Sequence, residues 1–533
     1  MARAGVTGAA GRRPQGEERP LLKAIRLLLA AAVVACVAIA PASTTAASDP
    51  AAQMRKLITV KGMLKHENAF QKIANANGGT RVAGSAGFDD SVTYVVNKLK
   101  GAGYKPVVQT FDFAFFSENS PATFERTAPT QHTYSEPGEF ATMQYSGSGD
   151  VTANVQEVNN NIFPPTAEPS SAAGCDPADF TPSFTGKVAL IQRGTCAFHD
   201  KALNAQNAGA VAVLIFNEGN PGRTDTIAGN LGAPPEFTIP VLGTSFAVGN
   251  ELHNLLVGPP TATVTVHITT DTTSETRQAA NVLADSKGGD PNRVIVQGSH
   301  LDSVVAGPGI NDNGSGSAYN LESAIKLAGS GIKLENKVRF AFWGAEEEGL
   351  VGSQFYVDSL SNDEFSRILL NLNFDMIASP NFVRFVYDGD GSGTGTEGPP
   401  GSAQIEDVFN DYFDSIGLAH DPTAFDGRSD YGPFIDRGAP AGGLFTGAEG
   451  VKTAAQATTY GGTAGVAYDH CYHQACDTID NVNTTAFDQM SDAAVTALTQ
   501  LALLQGPLAS AARTQALAHA GVQTDYRGSL LQR

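Results

Sequence analysis

From residue 281 onward, short apolar runs alternate with segments of helical periodicity, and three of these runs end in polar residues. The runs are RVIVQGSH, KVRFAFWGAEE and ILLNLNFDM, and helices fit between them, as at residues 315–328. Strands that alternate with helices over this length predict a largely parallel sheet with helices on both faces. The sequence therefore predicts a three-layer α/β/α domain whose function lies at the carboxyl ends of the strands.

Residues 151–268 follow a different pattern, in which short β-rich runs are separated by many Gly and Pro residues. One α/β unit is clear within them: a strand at 188–192, a helix at 200–208 and a second strand at 211–216. The preceding residues, 117–149, are rich in Ser, Thr, Pro and Glu with little periodicity, and are interpreted as a connection. The change of pattern predicts a second, β-rich domain.

The first 47 residues are typical of a secretory signal peptide. Basic residues precede the apolar run LLLAAAVVACVAIA, which is short for a membrane span, and small residues suited to cleavage follow it. The whole chain has a net charge of −19, and removing this leader leaves 29 basic against 52 acidic residues, a net charge of −23. A surplus of this sign excludes a binder of phosphate backbones. We expect a secreted monomer without stable membrane association and with a dispensable tail at 506–533.

Four cysteines remain beyond the leader: Cys175, Cys196, Cys471 and Cys476. An even number in a secreted chain favours disulfides, and of the three possible pairings the one local in sequence, Cys175 with Cys196 and Cys471 with Cys476, is the simplest. A zinc site of four cysteines is the alternative. It is disfavoured because the two pairs lie far apart and neither has the two-residue spacing of such sites.

A set of imidazoles and carboxylates occurs at predicted strand ends and in two loops. It comprises His300, Glu346, Glu347 and Asp375 after the three apolar runs, Asp312 in PGINDNGSGS, and His473 in YDHCYHQAC. This mixture is typical of a pair of Zn²⁺ ions bridged by a carboxylate. Taken singly, each residue could be a turn former, a cap or a solvated charge. Their convergence on one edge of the sheet, in apolar surroundings, favours a metal site.

Seven motifs in order carry a resemblance to a known family: GSHLDS, GINDNGSG, FAFWGAEEEGLVGS, LNFDMIASPN, FDGRSDYGPF, GGLFTGA and CYHQACD. They resemble the co-catalytic di-zinc aminopeptidases of the MH clan, of the secreted bacterial leucine aminopeptidase type. In the β-rich region, the Gly-Thr-Cys turn and IPVLGTS resemble the protease-associated domain, which has no catalytic residues. The resemblance implies a catalytic domain in two pieces, 53–140 and 272–505, with the protease-associated domain inserted at 141–271.

The resemblance also implies a set of metal ligands. His300 and Asp375 are expected on one zinc ion, Glu347 and His473 on the other, and Asp312 between the two. Two zinc ions per chain are thus expected. Calcium binding is a property of some members of that family, and the resemblance assigns no residues of this sequence to it.

Catalytic and substrate-binding roles follow in the same way. Glu346 is implied to be the general base that activates the attacking water, and Tyr472 to donate a hydrogen bond to the oxyanion. Asp302 is a candidate partner that orients His300, with a simple turn residue as the alternative. Arg428 is expected near the substrate backbone, an ion pair with Asp426 or Asp430 being the alternative. The pocket for the first side chain is expected from Met376, Gly427, Phe445 and Cys471.

Two positions leave alternatives open. His470 lies three residues before His473, and the choice of His473 rests on the match of CYH to the family. Glu348 is a third acid after Glu346 and Glu347, so the assigned pair could be shifted by one residue; the GAEE frame supports the pair as assigned.

The sequence thus predicts a secreted zinc aminopeptidase that hydrolyses apolar, Leu-like N-terminal residues from peptides and proteins. The first alternative is a carboxypeptidase or amidohydrolase of the same clan. A glutaminyl-cyclase-like transferase is disfavoured, because that branch works with one zinc ion and would not need all five ligands. A non-catalytic binding protein built on the protease-associated domain is the third alternative, and the ligand or base that it would lack is present in this sequence. An apolar pocket discriminates only modestly between side chains, so a broad range of substrates is expected.

Overall fold

The computed structural model describes residues 49–166, 171–234 and 236–508. The predicted signal peptide and residues 509–533 of the predicted tail lie outside the described residues. Among the helices that the structure describes, none has both the length and the hydropathy needed to cross a bilayer.

The described residues form fourteen strands that join into one continuous sheet. In chain order the strands are β1 (Val107–Ala128), β2 (His132–Thr133), β3 (Phe140–Thr142), β4 (Gly149–Glu157), β5 (Val188–Gln192), β6 (Ala212–Phe216), β7 (Val241–Thr244), β8 (Thr265–Asp285), β9 (Asp290–His300), β10 (Asn336–Trp343), β11 (Ile368–Phe374), β12 (Phe385–Tyr387), β13 (Asp421–Thr423) and β14 (Ala441–Phe445). The α-helices are α1 (Pro50–Leu57), α2 (Val60–Ala76), α3 (Ala86–Gly101), α4 (Phe198–Asn207), α5 (Phe246–Val257), α6 (Gly316–Gly329), α7 (Val351–Ser359), α8 (Asn362–Phe365), α9 (Ser402–Ser415), α10 (Gly432–Asp436), α11 (Ala454–Tyr460) and α12 (Thr484–Ala502).

One half of the sheet runs in the order β13, β12, β14, β11, β9, β10, β8. Its centre is parallel, since β9 pairs in parallel with β10 and β11, and β11 with β14. Successive residues of a strand face opposite sides, so Ile295 packs in one hydrophobic core while Val294 and Val296 pack in another. Burial on both faces explains the near-continuous apolar runs, and the predicted α/β fold with a mostly parallel sheet is confirmed.

Helices cover both faces of this half. On one face, Met63 and Phe70 of α2 and Phe88 of α3 share a core with Phe340 of β10. On the other face, Trp343 of β10 packs with residues of α7 and α10. Because α2 and α3 precede the β-rich region and pack against strands that follow it, the chain leaves this core and later returns to it.

The other half of the sheet continues through β4, β5, β6, β7 and β3, with α4 and α5 packed on it. Strands β5 and β6 and helix α4 lie where the sequence predicts them, to within two residues. The long strand β8 belongs to both halves, because its first residues pair with β4 and its last with β10. The proposed boundary at residue 271 therefore falls inside a strand.

The interpretation of residues 117–149 as a connection is wrong. Strand β1 continues to Ala128 and pairs with β8 along most of its length, and β2 and β3 follow. Buried positions alternate with exposed ones, with Ala122, Phe124 and Arg126 buried. The polar residues between them face outward, and this diluted the apolar signal in the sequence.

A candidate metal centre at the carboxyl ends of the parallel strands

The side chain of Asp312 lies between two histidines. Its Oδ1 atom is 3.2 Å from Nε2 of His300, and its Oδ2 atom is 3.2 Å from Nε2 of His473. Two further carboxylates complete the group: Oδ1 of Asp375 is 3.3 Å from Nε2 of His300, and Oε2 of Glu347 is 3.0 Å from Nε2 of His473. The structure thus brings together all five residues that the sequence analysis proposed as metal ligands.

These separations fit metal binding. Two ligand atoms at about 2.0 Å from a tetrahedral zinc ion lie roughly 3.3 Å apart, close to the distances between these atoms. Buried oxygens of Glu347 (Oε1) and Asp375 (Oδ1) accept no hydrogen bond. Buried carboxylates without donors are costly unless a cation neutralises them. The residues present therefore fit zinc, whose positive charge would neutralise them.

Burial and neighbouring charges shift the pKa values of these side chains. Burial raises the pKa of Glu346 well above its usual range, and burial together with the charge of Asp312 raises the pKa of Glu347 to about 7. Burial alone lowers the pKa of His473, but the charge of Glu347 and hydrogen bonds with its carboxylate neighbours outweigh burial and raise it to about 11. The carboxylates thus favour positive charge at their centre, and a divalent cation bound there would neutralise them.

Glu346 lies beside the ligands, with Oε2 3.8 Å from Nε2 of His300. Its position comes from a tight turn after β10, in which Ala345 has a φ of 56°, a left-handed conformation uncommon for a residue with a side chain. Asp302 holds this turn, because its two carboxylate oxygens accept hydrogen bonds from the amides of Glu346 (3.2 Å) and Glu347 (3.3 Å).

Asp302 was predicted as the partner that orients His300. Its Oδ1 is 3.7 Å from Nδ1 of that histidine, longer than a hydrogen bond, and its short contacts are with the two glutamate amides. The role of Asp302 in holding the glutamate turn is not visible in the sequence. A residue 44 positions away from Glu346 carries no local signal of it.

The loop of Asp312 is held by residues that the sequence analysis did not assign. Oxygens of Asp477 accept hydrogen bonds from the amides of Asn311 (2.9 Å) and Asp312 (3.0 Å), and Asp469 accepts one from the Asn311 side chain. Asp477 directly follows Cys476 at the end of CYHQACD, but nothing in that motif points to Asn311 or Asp312 as its partners.

The loop of Asp375 has similar support. Ser429 donates to Oδ2 of Asp375 at 2.6 Å, and Met376, the next residue, has a φ of 49°. Asp430 is completely buried nearby, and burial raises its pKa to about 8. A left-handed backbone conformation at a residue with a side chain, as at Met376, costs about 1–3 kcal/mol, and such conformations cluster at functional sites. In the sequence, Asp430 stands out only as a possible ion-pair partner of Arg428.

The structure contains both disulfides of the simplest pairing, Cys175–Cys196 and Cys471–Cys476. The second one closes the loop that carries Tyr472 and His473. His473 has a φ of 56°, and its ring stacks on that of Tyr472 with centroids 3.8 Å apart.

Arg428 reaches across to Tyr472. Its Nη1 donates to Glu449 at 2.7 Å and its Nη2 donates to the Tyr472 hydroxyl at 3.2 Å, while only its backbone amide contacts Asp426. Its guanidinium thus has neither of the ion-pair partners that were the alternative in the sequence analysis. His470 is exposed to solvent and is absent from the group around Asp312.

Three of the four proposed pocket residues directly adjoin proposed site residues in the sequence. Met376 follows Asp375, Gly427 precedes Arg428, and Cys471 precedes Tyr472. Phe445, at the end of β14, packs in an aromatic cluster with Tyr431. Glu348, the third acid after β10, belongs to none of the groups of side chains that could hold a metal among the described residues.

Comparison with known proteins places this geometry in a family. Residues 281–498 match the model of peptidase family M28, and residues 158–252 match the model of the PA domain. An aminopeptidase of Pseudomonas aeruginosa (strain PAO1) is 45% identical over 442 residues, which cover 82% of this chain and 80% of the relative. A probable leucine aminopeptidase 2 of Aspergillus oryzae is 45% identical over 410 residues, 76% of this chain and 77% of the relative.

Solved structures agree on the fold. The aminopeptidase from Aneurinibacillus sp. strain AM-1 superposes with a TM-score of 0.60 at 28% identity, over 86% of this chain and 97% of that one. BSAP, a zinc aminopeptidase from Bacillus subtilis, superposes with a TM-score of 0.52 at 22% identity, over 83% of this chain and 95% of that one. The chain belongs to peptidase family M28. Within that family it is a metalloaminopeptidase with an inserted PA domain.

Proposed function

We propose that the chain is a secreted aminopeptidase that depends on two zinc ions and removes apolar residues, such as leucine, from the N-termini of peptides and proteins. The observation that carries the proposal is the position of Asp312, with one carboxylate oxygen toward His300 and the other toward His473. One carboxylate shared between two imidazoles is what a bridged pair of metal ions requires.

His300 and Asp375 would hold one zinc ion, Glu347 and His473 the other, and Asp312 both. Zinc bound there supplies Lewis acidity that polarises the scissile carbonyl and makes water acidic enough to attack at neutral pH. Glu346 is adjacent to the ligand group, and we assign to it the transfer of a proton from the attacking water to the leaving amine. The Tyr472 hydroxyl donates a hydrogen bond to the oxygen that becomes negative in the transition state.

The charges around the site favour a free amine over a free carboxylate as the group recognised. The carboxylates of Glu346 and Asp375 attract an α-ammonium group. Arg428 is already paired with Glu449, and the completely buried Arg81 donates to three backbone carbonyls, including those of Pro308 and Gly309. Neither guanidinium is free to bind the C-terminus of a peptide, which a carboxypeptidase would require.

The pocket residues Met376, Gly427, Phe445 and Cys471 present no charged side chain, which fits an apolar first residue. The four cysteines beyond the predicted leader form two disulfides, and a signal peptide is predicted at 1–47; both features support secretion. We also propose that the chain acts as a monomer and that residues 53–140 and 272–505 form the catalytic domain around the insertion at 141–271.

Acetylation of the substrate tests whether the enzyme recognises the N-terminus or the C-terminus of a peptide. We expect N-acetyl-leucine 4-nitroanilide to be hydrolysed about 10⁴-fold less efficiently than leucine 4-nitroanilide, because the acetyl group removes the charge that the carboxylates bind. The measurement is kcat/KM for the two compounds, with a C-terminally amidated peptide and its free acid as the matched pair. Equal rates on the acetylated compound, or a requirement for the free C-terminus, would support the carboxypeptidase alternative.

The role of Tyr472 is tested by its replacement with phenylalanine. We expect kcat to fall about 10²- to 10³-fold with little change in KM, because the hydroxyl acts only on charge that develops in the transition state. We assign Arg428 to positioning this hydroxyl. Arg428→Met should therefore lower kcat in the wild-type background and have little further effect in Tyr472→Phe. Additive losses in the double variant would show that Arg428 acts independently of Tyr472.

A further inference from the structure

A second group of carboxylates lies outside the proposed zinc ligands, at the loop between β12 and α9. Asp388 directly follows β12, Asp390 lies two residues later, and Glu406 is on α9. One oxygen of each lies within 4.8 Å of one oxygen of each of the other two. Asp388 is completely buried and Glu406 is 9% exposed. Carboxylates this close repel one another when they are ionised, and a cation between them removes the repulsion.

Two buried oxygens here receive no hydrogen bond. Oδ2 of Asp388 accepts from the amide of Gly393 and from the amide and hydroxyl of Thr394, whereas its Oδ1 accepts from nothing. Asn410, one turn after Glu406 on α9, donates to Glu406 through its nitrogen, and its buried Oδ1 is also without a donor. A completely buried carboxylate oxygen without a donor is a strong sign of a missing positive partner.

Protein cations do not supply that partner. In the described part of the chain, none of the three carboxylates forms an ion pair with Lys, Arg or His, and Glu406 accepts hydrogen bonds only from the uncharged amides of Gly389, Asp390 and Asn410. The atoms of this group that could bind a metal ion are all oxygens. Oxygen-only groups of this kind select hard cations rather than zinc, which prefers nitrogen and sulfur.

The sequence of the loop supports a particular hard cation. Asp388, Asp390 and Ser392 occupy positions 1, 3 and 5 of DGDGSG, with Gly393 at position 6. Calcium loops begin with acidic or amide residues at positions 1, 3 and 5 and a glycine at position 6. The loop differs in having Ser at position 5 and no Glu at position 12, and here Glu406 of the next helix brings the additional carboxylate.

We propose that Asp388, Asp390 and Glu406 bind one Ca²⁺ ion. Calcium accepts six to eight oxygens in irregular arrangements, whereas Mg²⁺ demands a near-ideal octahedron. Three carboxylates from a glycine-rich loop and a helix suit the irregular coordination of Ca²⁺. Oδ1 of Asn410, the hydroxyl of Ser392, backbone carbonyls and water are available for the remaining positions.

The contacts of this loop indicate what the ion does. A Cβ atom added at Gly393 would lie 2.4 Å from Pro422, and one added at Gly398 would lie 3.0 Å from Phe425, so the loop packs tightly on that segment. Phe425 stacks on Tyr387 with ring centroids 5.1 Å apart and leads into DGRSD, which carries Arg428. Calcium therefore braces one wall of the active site and contacts no catalytic side chain. Its loss should lower thermal stability more than kcat.

The test uses the full chain, freed of metal on a chelating resin and reloaded with two equivalents of zinc. Calcium chloride is titrated into it, and the heat of binding and the midpoint of thermal unfolding are measured; magnesium chloride is the comparison. The variants are Asp388→Asn, which keeps an oxygen for the Gly393 and Thr394 amides, and Glu406→Gln. Asp407→Asn, which removes a charge from the exposed neighbour of Glu406, is the matched control.

We expect calcium to raise the unfolding midpoint of the wild type and of Asp407→Asn by roughly 2–5 °C, and to have no effect on Asp388→Asn or Glu406→Gln. Magnesium at the same concentration should give a much smaller shift. The proposal is overturned if the wild type binds no calcium, if both site variants bind it as the wild type does, or if magnesium serves equally well. Should Asp388→Asn fail to fold, Glu406→Gln and the calorimetric stoichiometry of the wild type decide the question.

Discussion

Replacement of Glu346 with glutamine is expected to lower kcat by about 10²- to 10⁴-fold while the enzyme still binds two zinc ions. Glutamine keeps the size of the side chain and cannot accept and return a proton, so the variant removes the general base alone. Glu346 lies beside the ligand group, with Oε2 3.8 Å from Nε2 of His300, and is not one of the five proposed ligands. Steady-state kinetics on leucine 4-nitroanilide and metal analysis of the same preparation are the measurements.

Glu348→Gln is the matched control for this experiment. Glu348 lies in the same turn, two residues later, and belongs to no candidate metal group among the described residues. Its replacement should leave kcat close to the wild-type value. Full activity in Glu346→Gln together with a large loss in Glu348→Gln would show that the glutamate pair is assigned in the wrong frame.

Replacement of Asp312 with asparagine is expected to have an equally large effect by a different route. Asparagine has one amide oxygen in place of two carboxylate oxygens and carries no charge, so it cannot hold two cations together. We expect bound zinc to fall below two equivalents per chain and kcat/KM to fall by about 10³-fold or more. Metal content by mass spectrometry and activity during titration with zinc would establish both effects.

Removal of zinc from the wild type with a chelator should reproduce this loss, and added zinc should restore activity. The same treatment should lower the midpoint of thermal unfolding, because the buried carboxylates lose the cations that neutralise them. Asp358→Asn, an exposed change on α7, serves as the control and should retain both ions. An Asp312→Asn variant that binds two zinc ions and keeps its activity would contradict the bridging role.

The strands and the candidate ligands were predictable from the sequence because their signals are local. His300 ends an apolar run and the glutamate pair follows another, and strand ends of a parallel sheet meet at one edge. The course of β1 beyond Phe116 was not predictable. Its outer residues are polar, and only pairing with β8, more than a hundred residues later, makes the segment a strand.

The supports of the site were also hidden from the sequence. Asp477 holds the backbone of Asp312 from 165 residues away, and Arg428 reaches Tyr472 rather than its acidic neighbours. Such contacts depend on how loops from different strands meet. No pattern of residue types at short spacing reports on them.

The sequence by itself determined the α/β fold, the candidate metal ligands and the simplest disulfide pairing, because hydrophobic period, residue chemistry and close cysteines act over short stretches of chain. The tertiary structure decided which oxygen of Asp312 faces which histidine, and that Asp302 holds the glutamate turn. It also brought Glu406 to the DGDGSG loop. These arrangements are long-range, since each depends on side chains that meet only when the sheet and its loops have been assembled.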